Sequence, residues 1–417
     1  MLGAIPLAIL GPLALTGIWT INDQGSVADV QRMAKQANLP TSIDEFFPKP
    51  SGDQSTNLAT YLPAFHSQNT WQKEHKGFTW RPKGGWTDLT KLEEAVTGSQ
   101  AAYKEIDTIK KCKEFKVARH GDFASVLFPE YADLKGTAQL LAARSHLRSS
   151  KGDLPGAIED IQSIVDIGNL LGDDGVLIAV LVRIAIDNIA YVAAADLMPL
   201  ASQDQAQSAK LLEAVRSSKP YNYYKAMRFE SGMALMFATG PKVSLKSLGA
   251  VEDLDGEKFS YAQIAETRSI WAPALIKAHI AFLKEAEAEP IDTIKLLEAN
   301  SRYFKPLADS SDPRMKGAKI LAPMYSEAFR AGTSSYCRRK LVEIGLTALE
   351  SGREPKVSGT VDLDSGKPYK VIKNESGWKV YGVGTDLKDD GGTVPEKDGP
   401  SDIVLGFDGK KVTLKGK

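Results

Sequence analysis

The chain has 417 residues, 43% hydrophobic and 25% charged, a composition typical of a globular protein and not of a disordered one. Its 52 basic and 52 acidic side chains cancel, so no global field attracts nucleic acid, and a nucleic-acid partner is not expected. Two cysteines, Cys112 and Cys337, are too few for a disulfide framework or a thiolate zinc site, which leaves buried free thiols or a single disulfide bond.

Residues 1–22 form an uncharged apolar segment, long enough at about 1.5 Å per residue to cross a bilayer as a helix. The segment lacks a basic start and a small-residue cleavage site, which favours a retained membrane anchor over a cleaved signal peptide. A helix docked on the rest of the chain is a further alternative. We therefore expect a cell-envelope protein, anchored in the inner membrane by this segment, with most of the chain in the periplasm.

Residues 23–88 are irregular and rich in aromatic side chains, with short helices. The loop from Trp71 to Trp86 also contains Phe78 and Trp80. Aromatic faces of this kind can stack on sugar rings, which would suit an envelope glycan. The alternative is that the rings only hold a loop rich in glycine and proline against the helices.

Residues 89–351 carry continuous helical periodicity and predict an all-α domain built of αα-hairpins, with Thr87 or Asp88 as the first N-cap. Within it, residues 176–200 are apolar on nearly every side of a helical wheel, which predicts the central buried helix of the domain. Arg183 and Asp187 lie four residues apart and can pair on one face of this helix.

Residues 131–171 predict a helical hairpin. Its turn and second helix, GDLPGAIEDIQSI, resemble the second half of a tetratricopeptide repeat, with small and bulky residues in place at Gly152, Ala157 and Ile161. In the first helix, Arg144 and Arg148 stand where that repeat has packing residues, and no second copy follows at its period of about 34 residues. The pattern indicates one repeat-like hairpin and not an array.

Residues 352–417 differ from the rest of the chain, because period-two alternation appears in YKVIKN, WKVYGVG, DIVLGF and KKVTLKG. This alternation predicts a small antiparallel β module. A module of this size is short for an independent core, so we expect it to pack on the last helix.

No set of side chains singles out a reaction. The histidines lack a metal-ligand spacing such as HExxH, and no phosphate-binding loop or serine elbow accompanies them. His120 and Asp122 could form an orienting pair, but the sequence offers no nucleophile for it. We therefore predict a non-enzymatic protein, without excluding a pair of carboxylates for glycan cleavage. The histidines are His66, His75, His120, His146 and His279.

A cluster of acidic residues in the β module is the strongest candidate site. Its members are Asp386, Asp389, Asp390 and Asp402, which surround Gly391 and Gly392. Oxygen ligands without histidine or cysteine favour Ca²⁺ over a transition metal. The alternative is an acidic hairpin loop that needs no ion.

This module resembles the C-terminal region of the major pseudopilin of type II secretion, in which a turn of the form D-P-W-G-x-P-Y leads into two strands and a calcium loop. Leu363 and Asp364 depart from the turn pattern, the prepilin cleavage signature is missing, and the likeness spans about 55 of 417 residues. The matching residues are Asp362, Gly366, Pro368 and Tyr369 in the turn, then Val383–Asp386 and Ser401–Ile403.

The resemblance implies that Ca²⁺ binds to the carboxylates of Asp386 and Asp402 and to the backbone carbonyl of Val383. It does not imply that the chain is a pilin.

More broadly, QANLPTSIDEF, STNLATYLPAF and GKPY…YGVGTDLKDDGG together resemble a group of uncharacterised envelope proteins of Planctomycetes and Verrucomicrobia. That likeness covers most of the chain and implies no activity. The sequence therefore predicts a membrane-anchored envelope protein whose helices act as an interaction scaffold for a protein partner and whose β tail can bind calcium. The alternative is a protein that binds or processes envelope glycans through the Trp71 to Trp86 loop.

Overall fold

The computed structural model describes residues 26–47, 49–50, 52–66, 88–123, 125–240, 261–287, 293–323, 325–394 and 401–416. Residues 1–22 and the loop from Trp71 to Trp86 lie outside the described residues, so the expectations for them stay predictions. The described chain is mainly helical, with a small antiparallel sheet in its C-terminal part, as the sequence predicts.

The bounds of the described elements are as follows. The helices are α1 (26–36), α2 (62–66), α3 (Leu89–Gly98), α4 (Gln100–Ile109), α5 (Glu130–Ser150), α6 (Leu154–Leu171), α7 (Leu177–Ala201), α8 (Gln205–Arg216), α9 (Tyr223–Thr239), α10 (Tyr261–Glu266), α11 (Arg268–Ala286), α12 (Thr293–Tyr303), α13 (Lys305–Ala308), α14 (Lys316–Leu321) and α15 (Tyr325–Ser351). The strands are β1 (Lys370–Asn374), β2 (Gly377–Gly382), β3 (Ile403–Phe407) and β4 (Val412–Lys415).

These elements form two compact units, each assembled from separate stretches of the chain. The second unit contains α5 to α8, nearly all of α15 and the sheet, whereas the first contains α1 and α9 to α14. As far as they are described, the first unit comprises Met1–Phe46, Arg119–Val126 and Tyr223–Ser326, and the second comprises Phe47–Ala118, Leu127–Asn222 and Glu327–Lys417.

The first unit is held together by aromatic side chains. Phe46, Phe123 and Phe229 meet edge to face, with ring centroids 5.1 to 6.2 Å apart. Such pairs contribute about 0.5–1.5 kcal/mol beyond the area they bury. These contacts connect three separate stretches of the first unit, which carry Phe46, Phe123 and Phe229. A second cluster consists of His279, Phe282, Phe304 and Tyr325.

The hairpin of α5 and α6 has a charged interior contact. Asp153 caps α6 by accepting a hydrogen bond from the backbone of Gly156. Arg144, one of the arginines at a repeat packing position, donates from Nε to Asp160 Oδ1 over 3.0 Å, and Arg148 Nη1 reaches the same oxygen over 3.1 Å. The side chain of Asp160 is 1% exposed. An ion pair between the two helices therefore lies in the interior of the hairpin, and the likeness to a tetratricopeptide hairpin stays a prediction.

The stretch predicted to be central is α7, which packs on α5, α6, α8 and β4. Ile186 and Ala190 are fully buried. A Cβ atom on Gly168 of α6 would lie only 2.7 Å from Asp187 Oδ1, so this glycine permits the close approach of the two helices. In the described chain α7 is the one helix long and apolar enough to span a membrane, and more than half of it is buried, as in the core helix of a soluble protein.

The Arg183 and Asp187 pair predicted on α7 is confirmed, with Arg183 Nε 3.7 Å from Asp187 Oδ2. Both side chains are buried. Arg183 also donates to Asn169 Oδ1 over 3.2 Å, and Asp187 Oδ2 accepts from the Tyr221 hydroxyl and from Ser218 Oγ, each over 3.1 Å. Burial is the main cause that raises the pKa of Asp187, opposed by Arg183.

One face of α7 is partly exposed in the described chain, although most of the helix is buried as predicted. Ile178 is 44% exposed and Leu181 36% exposed. The face continues along the helix at intervals of three or four residues, so it forms a continuous apolar stripe. We call this the α7 stripe: Ile178, Leu181, Val182, Ala185, Ile189 and Val192.

The sheet has the strand order β1-β2-β3-β4, and every neighbouring pair is antiparallel. It packs on α15, as predicted, because a Cβ atom on Gly345 would come within 2.3 Å of Leu405 and 3.1 Å of Trp378. Arg338 of α15 donates over 2.6 Å to the carbonyl of Gly416. Cys337, on the same helix, is buried and free, and Cys112 is also free, so the two cysteines do not form a disulfide bond.

Candidate calcium loop

The candidate site lies at the end of the sheet where β2 leaves and β3 begins. Antiparallel register pairs Gly382 with Ile403, so the next residues outward, Val383 and Asp402, lie at adjoining strand ends. Gly392 then turns the loop back, and its backbone N–H donates to Asp402 Oδ2 over 2.8 Å. Its left-handed φ of 68° is one that glycine adopts without strain. The structure therefore brings Asp402 and the predicted loop together.

Asp402 is the buried carboxylate of this site, with no exposed surface. Its Oδ1 atom has no hydrogen-bond partner in the described chain. Burial raises the pKa of Asp402, and the nearby carboxylates of Asp390 and Asp389 act in the same direction. An unpartnered buried carboxylate oxygen is costly, and a bound cation would relieve that cost.

Asp386 and Asp389 of the loop already have contacts. Asp386 Oδ1 accepts a hydrogen bond from the backbone of Lys388 over 3.1 Å, which closes a local turn. Asp389 forms an ion pair with Lys370 and accepts from the Tyr381 hydroxyl over 3.2 Å. The hydrogen bond from Lys370 lowers the pKa of Asp389. Sequence reasoning missed Lys370, because a partner on a neighbouring strand leaves no signal in the spacing of the loop.

Val383, the third predicted ligand, is buried, and its backbone N–H bonds to the carboxylate of Asp362. Asp362 belongs to the turn before β1, where it also accepts from Ser365 Oγ over 2.7 Å. The two segments that carry the pseudopilin resemblance therefore meet in space. In the described residues, no three His, Cys, Asp or Glu side chains are grouped as a metal site. The predicted calcium ligands are a different kind of set, because they comprise only two carboxylates and one backbone carbonyl.

Asp364, which departs from the pseudopilin turn, is a titrating group with a measurable consequence. Burial raises its pKa to about 6, although the Thr333 hydroxyl donates to Oδ1. Because the folded pKa exceeds the unfolded value of about 3.9, this group favours the folded state at low pH, and the benefit is lost as the pH rises through about 6. Asp364→Asn should therefore raise the free energy of unfolding at pH 7.5, by on the order of 2 kcal/mol.

Urea denaturation at several pH values would measure this effect of Asp364→Asn, and the gain should shrink as the pH is lowered toward 4. Asp389→Asn is the matched control, because Lys370 lowers the pKa of Asp389 and its removal should give no such gain. A gain for Asp364→Asn that does not depend on pH would contradict the interpretation.

The histidines of the described residues form no reactive group with an exposed nucleophile. His66 is exposed and lies 3.2 Å from Asp133. Asp122, which could orient His120, accepts a hydrogen bond from the backbone of Ser125 over 2.9 Å.

A contact between Ser231 and His279, which lie on α9 and α11, leaves no signal in the sequence pattern. Ser231 Oγ is 3.0 Å from His279 Nδ1, and both side chains are buried. Burial lowers the pKa of His279 to about 3, so the ring is neutral. Ser231 also donates to the carbonyl of Met227 over 2.8 Å, as core serines on helices do. We interpret the contact as part of the core.

Comparison with known proteins found no matching family model, no similar curated protein and no similar solved structure.

Proposed function

We propose that this protein is a non-enzymatic, membrane-anchored protein of the cell envelope, that its helices form an interaction scaffold for a protein partner, and that its β tail binds Ca²⁺. The α7 stripe carries the scaffold part of this proposal. Ile178 and Leu181 are exposed on a helix whose opposite side is core. Contiguous exposed apolar surface of this kind usually marks an interaction site.

The hairpin of α5 and α6 supports the same role through its likeness to one tetratricopeptide hairpin. Stacked helical hairpins of that kind commonly present binding surfaces. The ion pair between the helices at Asp160 departs from the tetratricopeptide pattern. We therefore propose that this hairpin is one part of the scaffold and does not belong to a repeat array.

A photo-crosslinking amino acid placed at Leu181 tests the scaffold in producing cells. We expect discrete crosslinked species of higher mass, because this side chain lies on the α7 stripe. Lys135 on α5 is the matched control position, since it is also exposed but lies outside the stripe. Equal crosslinking at both positions, or none at Leu181, would contradict a specific partner surface.

The anchor part of the proposal rests on residues 1–22, which have the length and the lack of charge of a membrane span. The full chain should sediment with membranes and require detergent, whereas a chain starting near Gln24 should be soluble and folded. Fractionation with immunoblotting measures the distribution. Recovery of the full chain in the soluble fraction would contradict the anchor and leave the scaffold to be tested by crosslinking.

The proposal that the β tail binds calcium rests on two observations. Asp402 Oδ1 is buried without a hydrogen-bond partner in the described chain, and the loop resembles one that binds Ca²⁺. At calcium concentrations about 100 times the dissociation constant, the full chain should gain roughly 2.7 kcal/mol relative to chelator. Asp386→Ala and Asp402→Asn should each abolish the difference in melting temperature between the two conditions.

Asp389→Asn is the matched control for the calcium test. Asp389 is paired with Lys370, so its removal can lower the melting temperature but should leave the calcium-dependent shift in place. Identical melting curves of the unmodified chain in millimolar calcium and in chelator would leave only an acidic hairpin loop.

A further inference from the structure

A cleft of about 1140 Å³ opens in the second unit, where the C-terminal ends of α7 and α15 meet the turns of the sheet. Its walls are the segment 353–356 after α15, the turn between β1 and β2, and the turn between β3 and β4. A smaller cavity of about 280 Å³ shares Arg353, Glu354 and Lys356 with it. Because the two cavities flank the same segment, the surface is elongated and suits an extended ligand.

The cleft is basic in a chain whose net charge is zero. Glu354 is already neutralised by an ion pair with Lys373. By contrast, Arg353, Lys356 and Lys410 are exposed and form no ion pair within the described chain. Among the described residues of the cleft wall, Glu375 is the one other acidic side chain. The charge of the cleft therefore complements an acidic ligand.

The cleft also reaches the C-terminal end of β1, the strand at one edge of the described sheet. Lys373 and Asn374 line the cleft and belong to β1, which is an edge strand. An edge strand presents backbone N–H and C=O groups that an extended peptide can pair with. A peptide could thus add to β1 while its side chains reach the cations of the cleft.

A sugar chain is a poorer match to this cleft. The most favourable feature for a sugar would be an aromatic face, but Trp378 is only 6% exposed and packs against Phe407 with ring centroids 5.8 Å apart. Its ring face is therefore not available for stacking. The strand edge remains, and it favours a peptide over a sugar chain.

We propose that this cleft binds an extended acidic segment of a partner protein, which pairs with β1 through its backbone and with Arg353, Lys356 and Lys410 through its carboxylates. This inference rests on the proposed scaffold function, because it assigns a chemistry to the partner.

Fluorescence anisotropy of the full chain in detergent tests it, with a labelled decapeptide that alternates glutamate and threonine as the probe. The peptide should bind, and its glutamine counterpart should not. The triple variant Arg353→Glu, Lys356→Glu, Lys410→Glu should weaken binding by about tenfold or more, because three attractive contacts become repulsive. Lys135→Glu, a matched reversal outside the cleft, should leave the affinity within about twofold.

Methylation of alternate backbone nitrogens of the probe separates strand pairing from charge alone. The methylated peptide keeps every carboxylate but cannot donate to β1, so its binding should be lost. Equal binding of the methylated peptide, or equal binding of oligogalacturonate, would show a plain polyanion surface and overturn the proposal. Failure of the acidic peptide to bind would also overturn it, whereas crosslinking at Leu181 and sedimentation with membranes would still report on the scaffold and the anchor.

Discussion

Replacement of Ile186 by aspartate should unfold the helices of the second unit. Ile186 is fully buried on α7, next to Asp187, whose carboxylate already engages Arg183. Burial of an unpaired carboxylate costs several kcal/mol, comparable with the total stability of many domains, which is about 5–15 kcal/mol. Thermal unfolding followed by circular dichroism measures the loss.

Ile178→Asp is the matched control for this experiment, because it makes the same change on the same helix at a side chain that is 44% exposed. The control should keep a melting temperature close to that of the unmodified chain. Equal losses at the two positions would show that α7 is not buried on the side of Ile186.

Removal of the Asp160 carboxylate should have the second large effect. Asp160→Ala leaves Arg144 buried between α5 and α6 without its counter-ion, and loss of one partner from a buried ion pair costs about 3–5 kcal/mol. The double variant Arg144→Met, Asp160→Ala should lose less, because no uncompensated charge remains buried and Arg148 can turn toward solvent. Urea denaturation of the single and double variants measures the coupling.

Glu159→Ala supplies the matched control for Asp160→Ala. Glu159 neighbours Asp160 on α6, but its side chain is 62% exposed and pairs with Lys110 at the surface. Its removal should cost less than about 1 kcal/mol. A double variant no more stable than Asp160→Ala would show that the charge of Arg144 is not the cause of the loss.

Local patterns predicted most of the elements and little of their assembly. Asp88 does cap α3, and period-two alternation located all four strands of the sheet. The pair of Arg183 and Asp187 was predictable because four residues are one turn of a helix. These features depend only on residues close together in the sequence, which is the range that periodicity reports.

Contacts between distant stretches could not be predicted in the same way. Nothing in the spacing of α5 indicates that Arg144 pairs with Asp160, because either arginine could equally face solvent. The division into two units depends on residues 119–126 packing with Tyr223–Ser326, and no local pattern encodes such a contact. For the candidate site, the sequence singled out Asp402, but its burial and its unpartnered oxygen required the structure.

The second unit is assembled from separate stretches of the chain, and this affects how the unit folds while the ribosome is making it. Helix α7 ends at Ala201, and β4, which packs on α7, begins at Val412, roughly 200 residues later. At about 5–20 residues per second, translation of that interval takes on the order of 10–40 s. During this time, the side of α7 that the sheet later covers has no strand to pack against. Folding that begins at the N-terminus therefore cannot complete this core until the C-terminal strands have been made. Until then, the apolar surface that the sheet later covers is a natural substrate for a chaperone that binds nascent chains.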